Sequence, residues 1–290
     1  MIRVGFLVAG TKGWSFFDGF RHRCETAFVC SYRVKGTRDD SLDRIMDRCS
    51  EGGYSFLRRK ELTSEILNRA DLIFVVGWQF ILEEVDERYV ILHDSLLPRY
   101  RGFAPTVTAL INGEREIGVT ALRPSPEVDR GLTYGQAKVW IDYPMKLQKA
   151  LELVDGCYLQ IASDVLERFE NKTLVATVQD ESLATYSIWR DEKDYFINWS
   201  WPAEKVVRFV DAVGWPFSGA KTLFRGLEII IDEVEVGNDL HFEDRHSGKI
   251  WALRDGMPEI ICGCGIVKIV SAHHSDGCKV EFDRLRERVG

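Results

Sequence analysis

At residues 90–102 the chain reads Val90-Ile91-Leu92-His93-Asp94-Ser95-Leu96-Leu97-Pro98-Arg99-Tyr100-Arg101-Gly102, so that an apolar run leads into ionisable residues and then a turn. The apolar run is typical of a buried strand, and Pro98 and Gly102 predict the turn. His93 then stands at the carboxyl end of this strand, which is where ligands bind in open parallel sheets. A histidine there is also a common structural residue, so spacing alone does not decide its role.

Strand and helix patterns alternate on both sides of this stretch. Strands are predicted at residues 2–10, 28–34, 54–57, 71–77, 117–122 and 132–140, and helices at 14–26, 42–49, 63–68, 104–112 and 145–170. Gly10-Thr11-Lys12-Gly13 matches neither the dinucleotide glycine pattern nor a Walker motif, so a tight turn is preferred there to a nucleotide site. The alternation predicts an α/β fold with a doubly wound, mostly parallel sheet.

The residues that follow this strand form a longer, more specific pattern. His93-x-Ser95-Leu96-Leu97-Pro98-x-Tyr100-Arg101-Gly102 is followed by Gly118-Val119-Thr120 and then by Asp129-x-Gly131. In these motifs the chain resembles the folate-dependent formyltransferases, which transfer a formyl group from 10-formyltetrahydrofolate to an amine. The resemblance implies a Rossmann-like catalytic domain, 10-formyltetrahydrofolate as the formyl donor, and no metal.

The resemblance also implies which residues form the site. The family's catalytic core is an Asn, a His two residues later and an Asp in a loop, and the last two correspond to His93 and Asp129. Asp129 is also expected beside the cofactor, while Phe80, Ile81 and Leu82 are expected to line the pterin pocket. Ordinary core packing is the alternative for these three side chains. The working state would be neutral His93 beside ionised Asp129, so activity should fall when His93 is protonated.

Ile91 stands where the family has its Asn. An Ile cannot donate a hydrogen bond to the developing oxyanion, and loss of such a donor costs about 3 kcal/mol at other acyl-transfer sites. Three interpretations stay open: another donor such as Gln79, Ser95 or a backbone amide, slower or altered chemistry, or a folate-binding protein without transfer activity. Leu122, where family members often carry a His, is a second and smaller departure.

Residues 181–290 are predicted to form a smaller β-rich domain after a catalytic domain at 1–180. A helix is expected at 203–213, and strands at 227–236, 249–253, 259–262 and 266–270 resemble an OB-like barrel. Asp194-x-x-Ile197-Asn198-Trp199 and Pro216-Phe217-Ser218-Gly219-Ala220 resemble the segment that follows the catalytic domain in methionyl-tRNA and aminosugar formyltransferases. Glycinamide-type members lack this tail, which argues against their substrate.

Charge helps to choose among acceptors. The formal net charge of -7 disfavours a large polyanion, because binding one depends on clustered Lys and Arg. An aminosugar carried on a nucleotide is therefore the preferred small-molecule acceptor, and methionyl-tRNA is the alternative within the enzyme class. Tyr186, Trp189 and Arg190 either bind a nucleotide base and its phosphates or pack at the domain junction.

Composition predicts a globular protein in the cytoplasm. Hydrophobic residues make up 45% of the chain, yet runs such as 72–76 are far shorter than a membrane span, so no membrane partner is expected. Seven cysteines without a framework spacing fit reduced thiols. The single residue between Cys262 and Cys264 is short for a zinc site, and no metal is predicted. Both a monomer and a homodimer stay open.

Overall fold

A computed structural model describes residues 1–34, 41–80, 82 and 85–290. Its strands are β1 Arg3–Val8, β2 Glu25–Ser31, β3 Phe56–Arg58, β4 Leu72–Val76, β5 Tyr89–His93, β6 Arg101–Gly102, β7 Glu116–Leu122, β8 Thr133–Trp140, β9 Tyr186–Ser187, β10 Ala220–Phe224, β11 Leu227–Gly237, β12 Ile250–Arg254, β13 Met257–Ile261 and β14 Ile266–His274. Its α-helices are α1 Gly10–Phe20, α2 Leu42–Gly52, α3 Ser64–Leu67, α4 Pro105–Asn112, α5 Leu147–Glu170 and α6 Ala203–Ala212.

The larger sheet has seven strands in the order β3-β2-β1-β4-β5-β7-β8. The first five of these strands are parallel, while β7 runs antiparallel to β5, and β8 antiparallel to β7. This arrangement confirms the predicted α/β class with a mostly parallel sheet. The strand order reverses between β1 and β4, and the carboxyl ends of strands beside such a switch are where open sheets bind ligands. β5 ends at His93, one strand from that switch.

Apolar residues explain why the central strands are buried. All five residues of β4 are buried, as expected for a strand covered on both faces. On one face, α1 packs Phe16, Phe17 and Phe20 around Phe6 of β1. A side chain at Gly13 would lie 2.9 Å from the carbonyl carbon of Val8, so glycine allows this helix to lie close to the strand.

Some predicted element boundaries were wrong. α1 begins at Gly10 rather than at residue 14 and ends at Phe20, because its buried aromatic stripe ends there and residues 21–23 form a 3-10 turn. β2 consequently starts at Glu25, three residues before the predicted strand. β10 was not predicted, because its five residues follow directly on a proline- and glycine-containing turn that was interpreted as a motif rather than as the start of a strand.

The smaller sheet is antiparallel, with the order β10-β11-β14-β13-β12. Terminal residues connect its two edges, since Val289 bridges to Phe224 at the end of β10 and Arg288 bridges to Lys249 just before β12. The α6 helix supplies buried Val206, Phe209 and Val210. The predicted β-rich character of the C-terminal part is thus confirmed.

By its internal contacts the chain divides into two compact units. The first contains residues 1–105, 116–140 and 151–187, and the second contains 106–115, 141–150 and 188–290. The domain boundary predicted at residue 180 stays a prediction. Within the described ranges, no helix combines the length and the hydropathy needed to cross a membrane.

Candidate active site

His93 is the last residue of β5 and is 8% exposed. Its Nε2 lies 3.0 Å from the carbonyl oxygen of Tyr100. A carbonyl oxygen only accepts hydrogen bonds, so Nε2 carries a hydrogen and donates it to Tyr100. Nδ1 is therefore the ring nitrogen left for exchanging a proton.

Asp129 lies in the loop between β7 and β8 and faces this nitrogen. Its Oδ2 is 3.6 Å from Nδ1 of His93 and accepts a hydrogen bond of 2.8 Å from the backbone N–H of Gly102. A separation of 3.6 Å is longer than a hydrogen bond, so a reacting group can engage both His93 and Asp129. The structure thus brings together the two residues predicted to be catalytic.

The turn after His93 is fixed by two polar side chains that the sequence interpretation did not assign to the site. Thr120 is fully buried opposite His93 in the β5–β7 pairing. Its Oγ1 donates to the Ser95 carbonyl (2.6 Å) and accepts from the Leu97 N–H (3.0 Å). Gln136 donates to the Leu97 carbonyl (2.7 Å) and to Thr120 Oγ1 (3.0 Å). A buried threonine in a strand directly opposite the histidine was the signal that could have identified this support.

Ile91 lies two residues before His93 on the same face of β5. It is half-buried and packs against an apolar cluster that includes Val75 and Tyr89, and Trp78 and Leu82 pack on the same cluster. The Trp78 indole nitrogen is buried and has no hydrogen-bond partner within the described part of the chain. At the position of the family Asn, the structure therefore presents hydrocarbon.

Two of the substitute donors considered from the sequence already have other partners. The Ser95 hydroxyl donates to the carbonyl of Arg99 at 2.8 Å, and the backbone N–H of Gln79 donates to the Tyr32 hydroxyl at 2.8 Å. The Gln79 side chain is exposed. Neither the Ser95 hydroxyl nor the Gln79 N–H is thus free to stand in for the Asn.

The loop after β4 carries the predicted pterin-pocket residues. Phe80 is 41% exposed, its ring centroid is 4.7 Å from that of Tyr32, and the Arg59 guanidinium lies 3.9 Å from the Phe80 ring centroid. Leu82 is half-buried on the apolar cluster. Ile81 lies outside the described residues. The pterin pocket therefore stays a prediction for these three positions.

A second polar group fixes the residue that follows His93. Asp94 pairs with Lys12 and interacts with the hydroxyl of Tyr158, a fully buried residue whose pKa is raised well above its usual value by burial and by Asp94. Nearby, burial raises the pKa of Asp155 to about 6, against a smaller opposing effect of its hydrogen bond with Ser15. These contacts tie β5 to α1 and α5. Where the structure describes the chain, no three His, Cys, Asp or Glu side chains converge as a metal site would require.

Comparison with known protein families gives two matches. A family model described as formyl transferase matches residues 53–174, and one described as formyl transferase, C-terminal domain, matches residues 190–285. Together they span more than half of the chain. His93 and Asp129 both lie within the first match.

Several solved structures have a similar fold. HypX from Aquifex aeolicus in complex with tetrahydrofolic acid is 18% identical over 99% of this chain, with a TM-score of 0.61. This chain spans about half of HypX, 50% of its length. WlaRD, a sugar 3N-formyl transferase solved in the presence of dTDP and 5-N-formyl-THF, is 14% identical over 98% of this chain and 99% of its own, with a TM-score of 0.65. An N-formyltransferase from Helicobacter canadensis, in complex with folinic acid and dTDP-3-aminofucose, is 14% identical over 93% of this chain and 99% of its own (TM-score 0.62).

Proposed function

Because the chain belongs to the formyl transferase family, we propose that it transfers a formyl group from 10-formyltetrahydrofolate to the amine of a nucleotide-linked aminosugar. The observation that carries this proposal is the pair of His93 Nδ1 and Asp129 Oδ2, two mostly buried groups 3.6 Å apart. Both are held by the same turn, since His93 donates to Tyr100 and Asp129 accepts from Gly102. Such a pair can move a proton at a site shielded from water.

Formyl transfer requires the formation of one bond, the cleavage of another and the transfer of one proton. The amine nitrogen bonds to the formyl carbon, the bond from that carbon to the donor nitrogen breaks, and one proton passes from the amine to the leaving nitrogen. Asp129 Oδ2 and His93 Nδ1 can hold this proton in transit, because these two atoms face each other at 3.6 Å without a hydrogen bond between them. When protonated, Nδ1 also donates to the oxygen that develops negative charge, which is the role left open by Ile91.

The apolar side of the site fits the formyl donor. Trp78 has a buried N–H without a partner in the described residues, and a buried donor is expected to find an acceptor. Leu82 and Ile91 present half-buried apolar surface on the same cluster, and Phe80 presents an exposed ring. A flat heteroaromatic ring edged with polar atoms satisfies both features.

The acceptor is proposed from the surface beside Asp129. β6 and β9 form a two-stranded parallel ribbon in which Arg101 pairs with Tyr186 and the N–H of Phe103 donates to Ser187. Phe103 and Tyr186 are 49% and 63% exposed, and exposed aromatic faces are suited to stacking on a base. The net charge of -7 favours a small acceptor over a tRNA.

Two other residues considered for nucleotide binding behave differently. Trp189 is exposed, whereas the Arg190 guanidinium donates to Thr108 Oγ1 at 3.1 Å within the second unit. Burial lowers the pKa of Arg190. Because the Arg190 guanidinium is mostly buried and contacts Thr108, base stacking is proposed for the exposed Tyr186.

The test is a panel of acceptors incubated with 10-formyltetrahydrofolate and the full chain, with formylated product detected by mass spectrometry. Nucleoside-diphosphate aminosugars should gain one formyl group, and His93→Ala should abolish the reaction. Formylation of methionyl-tRNA alone, with steep salt dependence, would instead favour the tRNA enzyme. Tight folate binding without product from any amine would favour the folate-binding alternative that Ile91 leaves open.

A further inference from the structure

Residues 177–187, here named the strap, follow α5 and contact both loops of the candidate site. Thr185 accepts from the backbone N–H of Tyr100 through Oγ1 (2.9 Å) and from the N–H of Arg101 through its carbonyl (2.9 Å). Gln179 contacts the loop of Asp129. We propose that Gln179 is a positioning residue that sets the placement of Asp129 relative to His93. This inference rests on the proposed function.

Every hydrogen-bonding position of the Gln179 amide is used. Nε2 donates to the carbonyl of Asp129 (2.7 Å) and to that of Gly131 (2.8 Å). Oε1 accepts from Arg101 Nη2 (2.7 Å) and Nε (3.2 Å). Gln179 is 8% exposed, so these hydrogen bonds are almost fully withdrawn from solvent. An amide with two donors and two acceptor positions is the side chain that satisfies both neighbours at once.

Arg101 anchors Gln179 in turn. Its guanidinium is fully buried and binds both carboxylate oxygens of Glu181, at 2.9 and 2.8 Å. Such bidentate pairs fix orientation as well as distance. The next residue, Gly102, donates its backbone N–H to Asp129 Oδ2. Asp129 is therefore held at its carbonyl by Gln179 and at its carboxylate by Gly102.

The backbone of Asp129 explains why it needs this support. Its φ of 53° lies in the left-handed region, which a residue other than glycine keeps only when its surroundings enforce it. The two carbonyls that Gln179 binds lie on either side of Arg130, directly at this turn. Without those bonds the loop relaxes, and Asp129 Oδ2 moves away from His93 Nδ1.

The experiment compares Gln179→Met with the native full chain. Methionine keeps the length of the side chain and removes all four hydrogen bonds. We expect kcat for formyl transfer to fall about 10-fold to 100-fold, because a displacement of about 1 Å at a reacting group can have such an effect. KM for 10-formyltetrahydrofolate should stay within about twofold of the native value. The 15N resonances of the His93 ring, identified by their loss in His93→Ala, should shift at a fixed pH. Gln160→Ala, at an exposed position of α5, is the matched control and should change neither.

The two readouts separate this inference from the proposed function. If the native chain transfers no formyl group to any amine, the proposed function fails, while the His93 resonances still test the positioning role. A folded Gln179→Met protein with native kcat and unshifted His93 resonances would overturn the inference. If Gln179→Met does not fold, Glu181→Gln tests the ion pair that anchors Arg101, at a side chain that is half-exposed. This variant should lower kcat and shift the His93 resonances in the same way, by smaller amounts. Native behaviour of that variant would likewise overturn the inference.

Discussion

His93 lies between two differently built sides of the site. On the polar side, Gln179 links Asp129 to Arg101 through hydrogen bonds, and Arg101 forms a bidentate ion pair with Glu181. On the apolar side, Ile91 and Trp78 pack on a hydrocarbon cluster that contains a buried N–H without a partner among the described residues. The groups proposed to handle a proton are thus held by hydrogen bonds, while apolar side chains surround the position of the family's Asn. From this difference we propose that His93 itself stabilises the oxyanion.

The largest effect is expected from His93→Ala, which removes the residue shared by both sides. In the proposed mechanism the ring donates to the oxyanion and exchanges the proton, so its loss should lower the single-turnover rate of formyl transfer about a thousandfold or more. His22→Ala, at an exposed residue of the 3-10 turn after α1, is the matched control and should leave the rate unchanged. A rate within tenfold of native in His93→Ala would place the chemistry elsewhere.

A smaller effect of opposite sign is expected from Ile91→Asn, which gives the apolar side a donor. The added amide should raise kcat about tenfold, because one well-placed oxyanion donor is worth at least that much. It should also lower the free energy of unfolding by about 1–3 kcal/mol, since an amide is buried among apolar groups. Kinetics and thermal unfolding measure the two effects, and Ile91→Leu should show no gain in kcat. Loss of activity in a folded Ile91→Asn protein would show that the apolar packing itself is required.

The smallest effect on activity is expected from Asp155→Asn, which belongs to neither side. Burial raises the pKa of Asp155 to about 6, so the folded state binds its proton more tightly than the unfolded chain does. The stabilising contribution of the protonated form is therefore lost as pH rises from about 4 through 6, and the ionised carboxyl destabilises the fold above that. Asp155→Asn should raise the free energy of unfolding by about 2 kcal/mol at pH 8 and by much less at pH 4.

Urea unfolding at the two pH values checks this prediction, with kcat measured alongside at the higher pH. Asp142→Asn serves as the control, because that carboxylate is mostly exposed and pairs only with Arg115 among its described contacts. An equal gain in stability at both pH values would contradict the assignment of the effect to ionisation.

The parts of the molecule that were predicted correctly have local signals. Apolar runs indicated β1, β4 and β5, and the motif after His93 indicated the residue pair that the structure brings together. The strap carries no such signal, because Gln179 acts on Asp129 across 50 positions of sequence. The role of Gln179 depends on contacts that form only when the chain folds. The strap also spans the domain boundary predicted at residue 180.

The surroundings of Ile91 on the apolar side could not be predicted from the sequence for the same reason. The sequence shows that Ile91 cannot donate a hydrogen bond, yet it does not show what surrounds that side chain. That Ser95 donates to Arg99, and that Trp78 keeps a buried N–H without a described partner, depend on how the loops after β4 and β5 are placed. Substitute donors suggested by proximity in sequence were therefore only hypotheses until these contacts were known.

The most direct test of the central claim compares formyl transfer by the native chain with that by Asp129→Asn, using 10-formyltetrahydrofolate and a nucleotide-linked aminosugar. Asparagine can still accept from the N–H of Gly102, so the loop should stay in place while the proton acceptor is lost. We expect transfer by the native chain and a rate about a hundredfold lower in Asp129→Asn, with folate binding retained. Equal rates in the two proteins, or folate binding without transfer by either, would contradict it.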